Sequence, residues 1–146
     1  MKRKRNIPIV FFNASVILSG IHSPSGGSGK LLTLVKQRRI NGIMSEIILD
    51  EAVRHANKIN LNTSTITMLV HGIFSTIQAA PNKKIVLNLT NLVIDAGDAH
   101  VLASAKETHA QWLVTLDKKH LLILQKKIRW IKIVSPKELL EQITKK

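Results

Sequence analysis

The chain has 146 residues, with 22 Lys and Arg against 9 Asp and Glu, giving a formal charge of +13 with histidine neutral. An apolar fraction of 45% supports a packed core and excludes general disorder, and the absence of cysteine excludes disulfide scaffolds, thiolate metal centres and cysteine nucleophiles. The basic excess points to a polyanionic partner, nucleic acid ahead of an anionic membrane.

Residues 1–6 read as a basic tail built on Lys2-Arg3-Lys4-Arg5, and 7–146 as a single domain. The tetrad and the apolar stretch to Leu18 imitate a secretory signal. Pro8, Asn13 and Ser15 interrupt that stretch, and no small-residue cleavage site follows. Without such a signal or an apolar run of membrane length, the expectation is a cytoplasmic protein with no membrane partner. Ile7–Phe12 reads as a strand buried on both faces, Asn13–Ser19 as a short helix, and Ser23–Gly29 as a loop by composition. Leu31, Leu32, Leu34 and Val35 form a helical stripe ending in Lys36, Arg38 and Arg39, cations suited to a helix C-terminus.

Ile40–Met44 is a second strand, and Ser45 caps a helix running to about Lys58, with Ile48, Leu49, Ala52, Val53 and Ala56 at helical spacing. Asn62–Gln78 reads as a helix broken before Pro81-Asn82, and Lys84–Leu89 as a short strand. Asp98–His109 is a helix with Val101, Leu102 and Ala105 on its apolar face; Gln111–Leu116 is a strand and Lys118–Gln125 a short helix. Arg129–Val134 is a strand, and Pro136 suits the first position of a last helix to Ile143. The Met and aromatic residues read as core. With no Tyr, two Trp and three Phe, a base-stacking surface is poorly supplied.

Strands alternating with helices predict an α/β fold with a mostly parallel sheet, whose functional crevice lies beyond the strands' carboxyl ends. That rule selects Asn13, Ser45, Asp117 and the turn before the 98–109 helix. Acids are scarce, so their positions carry information. Asp98 opens a helix, where an Asp is by default a cap; Asp117 follows a strand; Asp95 suits a turn; Glu51 by default faces solvent. Carboxylates gathered on one edge would repel one another without a cation between them, and hard Mg²⁺ or Mn²⁺ suits oxygen ligands. Competing sites fail their patterns. Ser25-Gly-Gly-Ser-Gly-Lys30 imitates a phosphate-binding loop, but Pro24 stands where its first Gly belongs and Leu31 where Ser or Thr must follow the Lys. The six His show no zinc spacing, and no Ser sits in a G-x-S-x-G elbow.

Five segments in order resemble the PIN-domain nucleases. Val10-Phe-Phe-Asn-Ala-Ser-Val-Ile-Leu-Ser19 is similar to the family's opening V-x-D-T-N-V-x-x-S, and Ser45-Glu-Ile-Ile-Leu-Asp-Glu51 to its second acidic helix. Asp95-Ala-Gly-Asp-Ala-His-Val-Leu-Ala-Ser-Ala105 is similar to D-x-x-D-x-x-x-L-A-x-A, Leu113-Val-Thr-Leu-Asp117 to the T-x-D segment, and Ile133–Leu140 to the closing strand and helix. The resemblance implies an α/β/α sandwich that binds Mg²⁺ or Mn²⁺ and cleaves RNA, often as a homodimeric toxin silenced by a cognate antitoxin. On it, Glu51, Asp98 and Asp117 match the acidic metal positions, Asp95 is a weaker addition, and Thr115 is the small polar residue beside the last aspartate.

The first family aspartate is Asn13 here, a weak metal partner, and the Thr and Asn after it are Ala14 and Ser15. At ~4 Å and an effective dielectric of ~20, a carboxylate contributes upward of ~4 kcal/mol to holding a divalent cation before desolvation. An amide lacks that charge and cannot accept a proton from an attacking water. The expectation is therefore a Mg²⁺- or Mn²⁺-dependent endoribonuclease, a toxin component with a metal site weakened at Asn13. The alternative is a catalytically silent PIN-fold module that binds RNA or a protein partner without cleavage. Which residues contact RNA is not legible at this level.

Overall fold

The computed structural model describes residues 7–144, so the basic tail over residues 1–6 lies outside the described residues. The elements are β1 (Ile9–Phe12), α1 (Ala14–His22), α2 (Gly27–Lys36), β2 (Asn41–Ser45), α3 (Glu46–Arg54), α4 (Thr63–Ile73), β3 (Thr76–Gln78), α5 (Lys83–Leu89), α6 (Ala99–Glu107), β4 (Trp112–Val114), β5 (Lys132–Val134) and α7 (Pro136–Thr144). Short 3-10 turns at 56–59, 90–92, 96–98 and 122–124 fill connections.

The five strands form one sheet in the order β3-β2-β1-β4-β5, every pair parallel. Parallel pairing forces each connection to cross over the sheet, so all strand carboxyl ends share one edge. The order reverses between β1 and β4, the switch point where a doubly wound sheet opens a crevice. β1 is the central strand, and Val10, Phe11 and Phe12 are fully buried, as a strand covered on both faces requires. Each fully buried large apolar side chain contributes about 1.5–3 kcal/mol. Phe12 meets Phe74 edge to face with ring centres 5.2 Å apart. One group of helices comprises α1 to α4 with α7, while α5 and α6 pack on each other.

Local chemistry sets the helix starts. Ser45 Oγ accepts from Ile48 N at 3.2 Å. Before α7, Ser135 Oγ accepts from Glu138 N while Glu138 Oε1 accepts from Ser135 N, a reciprocal capping box.

Four segments differ from the sequence expectation. The helix expected to Gln78 stops at Ile73, and 76–78 forms the edge strand β3; buried Phe74, in extended conformation, turns the chain into the sheet. The segment expected as a strand over 84–89 is α5, because Asn82 Oδ1 caps it through Lys84 N at 2.8 Å. The helix expected over 118–125 is a set of turns with one 3-10 turn. Of the loop expected over 23–29, residues 27–29 belong to α2. A Cβ on Gly29 would lie 2.2 Å from Pro24 O and one on Gly20 2.5 Å from Leu32 Cδ1, so small residues let α1 and α2 close as a tight pair. The aromatic and Met residues also divide. Phe11, Phe12, Phe74 and Met44 are core, whereas Met68 and Trp130 are exposed.

Gly29→Ala is expected to lose about 1–3 kcal/mol, because the clash is with backbone. Gly72→Ala, on α4 with nothing within 4 Å of the added methyl, is expected to gain about 0.5–1 kcal/mol. Urea unfolding of both variants checks the pair.

Candidate metal centre at the carboxyl edge

Pairing of Phe12 with Val114 sets the ends of β1 and β4 side by side. Asn13 N donates to Val114 O at 3.1 Å, and Asn13 Nδ2 donates to Thr115 Oγ1 at 3.1 Å. The same Thr115 oxygen accepts from Asp117 N at 3.1 Å, and Ser15 Oγ accepts from Leu116 N at 3.2 Å. Thr115 and Ser15 thus pin segment 115–117 to the start of α1 and aim Asp117. Its Oδ1 accepts from His120 N at 3.0 Å, and its Oδ2 lies 3.2 Å from His120 Nδ1.

Asp98 stands where the 96–98 turn meets α6, and its side chain makes no cap hydrogen bond. The default reading of a helix-opening Asp therefore does not describe it; Asp95 does that work, accepting from Gly97 N at 2.9 Å. One ligand atom each from Asp98, Asp117 and His120 lies within 4.8 Å of the others. Glu51 is outside this group. Its Oε1 lies 3.0 Å from His100 Nε2, joining α3 to α6, and His100 Nδ1 is buried without a partner among the described residues. The pair is therefore read with the proton on Nε2. Asn13 is 8% exposed, and with Nδ2 held by Thr115 only Oδ1 is left to offer a cation.

Burial raises the Asp98 carboxyl above its ordinary 3.8, and the charges of Asp117 and Asp95 push it further. His120 opposes them, and Glu51 adds a smaller push upward. Two crowded carboxylates and an imidazole suit a divalent cation, which would relieve that repulsion. His120 and His100 were not legible as site residues. The signal for His120 was a His three residues after a strand-ending Asp; none marked His100, which is 49 positions from Glu51.

A family model described as PIN domain matches residues 9–119. The chain belongs to the PIN-domain family. Members are typically nucleases, and the match spans Asn13, Glu51, Asp95, Asp98, Thr115 and Asp117 but ends one residue before His120. PAE2754 from Pyrobaculum aerophilum, known from a crystal structure, has a similar fold, with a TM-score of 0.60 and 16% identity over 94% of this chain and 89% of that one. No curated protein matches the sequence. No described helix is long and apolar enough to cross a membrane.

A carboxyl with a raised folded-state pKa costs stability when ionised, fully above that pKa and not at all below the unfolded value of 3.8. Asp98→Asn is therefore expected to raise the melting temperature of the metal-free protein at pH 7, and the gain should vanish as pH falls below 3.8. Thermal melts across that range test it.

Proposed function

We propose that this protein is a Mg²⁺- or Mn²⁺-dependent endoribonuclease of the PIN family, with a metal site weakened by Asn13. The observation that carries the reading is the gathering of Asp98, Asp117 and His120 at the switch point of the sheet, within a basic protein. Asp98 and Asp117 would hold the cation directly, His120 would give a third donor, and Asn13 Oδ1 a weak neutral one. Glu51, oriented by His100, and Asp95 would lend negative charge from beside the group. A bound divalent ion supplies a Lewis acid for the phosphoryl oxygens and lowers the pKa of the attacking water. Thr115 and Ser15 fix the 115–117 backbone, so Asp117 would hold the cation without first reorganising. By the family resemblance, the proposal extends to a cytoplasmic toxin, homodimeric and held by a cognate antitoxin.

A second reading keeps the fold and RNA or protein binding but not cleavage. The amide at 13 favours it, since it is buried, bonded to Thr115 and unable to accept a proton.

A cleavage assay on single-stranded and hairpin RNA with each metal, run beside Asn13→Asp, separates the two. The restored carboxylate is expected to raise cleavage tenfold or more, since only ~1.4 kcal/mol of its attraction to the cation is needed for that factor. Absence of cleavage by both folded proteins would leave the silent module.

A further inference from the structure

All strands run the same way, so the edge opposite the metal centre collects the strand starts and the ends of helices that return across the sheet. α6 leaves the metal centre after Asp98 and carries Lys106 in its last turn, ending at Glu107 with His109 beyond it; β4 then begins at Trp112 and β5 at Lys132. Two hollows open here, one lined in part by Arg129 and the other by Trp130, its neighbour in sequence. One, of about 500 Å³, is lined by Trp112, Arg129 and Lys132, and the other, of about 470 Å³, by Lys106, His109 and Trp130. Lys132 Nζ lies 4.8 Å from the Trp112 ring centre and Lys106 Nζ 5.5 Å from that of Trp130. Trp130 is 44% exposed.

Helix-end cations are common because they complement the helix dipole, which accounts for Lys106 alone. It does not account for an exposed Trp130 and a half-buried Trp112, each with an ammonium group over its ring. Among the described residues no Lys or Arg is ion-paired with a carboxylate, so these charges are free to meet phosphates. Glu138 and Glu141 line the first hollow, but Glu138 is engaged by Ser135 N and Gln125 Nε2.

We propose that this amino edge is a second binding surface, for single-stranded nucleic acid, in which Trp130 and Trp112 stack bases while Lys106, Lys132 and Arg129 hold phosphates. Indole faces accept any base, and cations beside them meet the backbone, the combination that binds single strands without reading sequence. The surface is distinct from the metal centre. Trp112 opens β4 at the amino edge, whereas Asp117 follows the strand's carboxyl end at Val114, beside the metal centre. It gives the chain an affinity for RNA that its acidic crevice, repelling phosphates, does not supply.

The two tryptophans are the only ones in the chain, and Tyr is absent, so intrinsic fluorescence reports this edge alone. The test titrates the full chain with a ten-nucleotide oligouridylate in EDTA at low salt, following tryptophan quenching and the anisotropy of labelled oligonucleotide. Saturable quenching that weakens with salt is expected, through counterion release. Lys106→Glu with Lys132→Glu should weaken binding tenfold or more, and Trp130→Leu at least fivefold. Lys118→Glu with Lys119→Glu, beside the metal centre, should do less. Lys106→Gln with Lys132→Gln serves if the charge reversal fails to fold. Binding without quenching, affinity indifferent to 106 and 132, no binding at low salt, or quenching by anionic vesicles but not by oligouridylate would each overturn the proposal. Because EDTA removes metal, loss of the nuclease reading leaves this test intact.

Discussion

Asp98 and Asp117 are held together against their own repulsion, and the other features of the carboxyl edge follow from that constraint. Burial and a like charge both drive the Asp98 carboxyl toward its neutral form. A fold keeps such an arrangement only where the surrounding structure over-determines it. Here the over-determination is visible. Thr115 accepts from both Asn13 and Asp117, Ser15 holds Leu116, and the backbone of His120 fixes one Asp117 oxygen. Each bond is worth only about 1 kcal/mol, but together they hold the 115–117 backbone and one carboxylate oxygen of Asp117 in place.

The same topology that gathers the acids separates them from much of the positive charge. Parallel strands with return helices deliver Asp98 and Asp117 to one edge and Lys106, Arg129 and Lys132 to the other. A net charge of +13 therefore does not contradict an acidic crevice. The excess provides long-range attraction for a polyanion, while the crevice provides a place for a cation.

Much of this was readable from the chain. The run Val10-Phe11-Phe12 has no polar alternation, which marks a strand covered on both faces, and Ser45 and Pro136 announce their helices by cap chemistry. The placement of Asn13, Ser45 and Asp117 just after strands followed from the parallel-sheet rule, while Thr115 came only from the family resemblance. What was not readable depends on packing across the sheet. Thr76-Ile77-Gln78 is too short for a period, and only pairing with β2 makes it a strand. Lys83–Leu89 holds Ile, Val and Leu in a row, equally suited to either element, and the Asn82 cap decides. Trp130 reads as core by composition but lies exposed in the connection just before β5. His100 meets Glu51 only because α3 and α6 converge, which no local pattern encodes.

The central claim is that Asp98 and Asp117 share one divalent ion. Titration of the metal-free protein with Mn²⁺, followed by the electron paramagnetic resonance of the free ion, tests it without reference to catalysis. One saturable site is expected, weakened at least tenfold by Asp117→Asn and by Asp98→Asn in folded protein. Binding unchanged in both variants, or no binding at millimolar Mn²⁺, would contradict it.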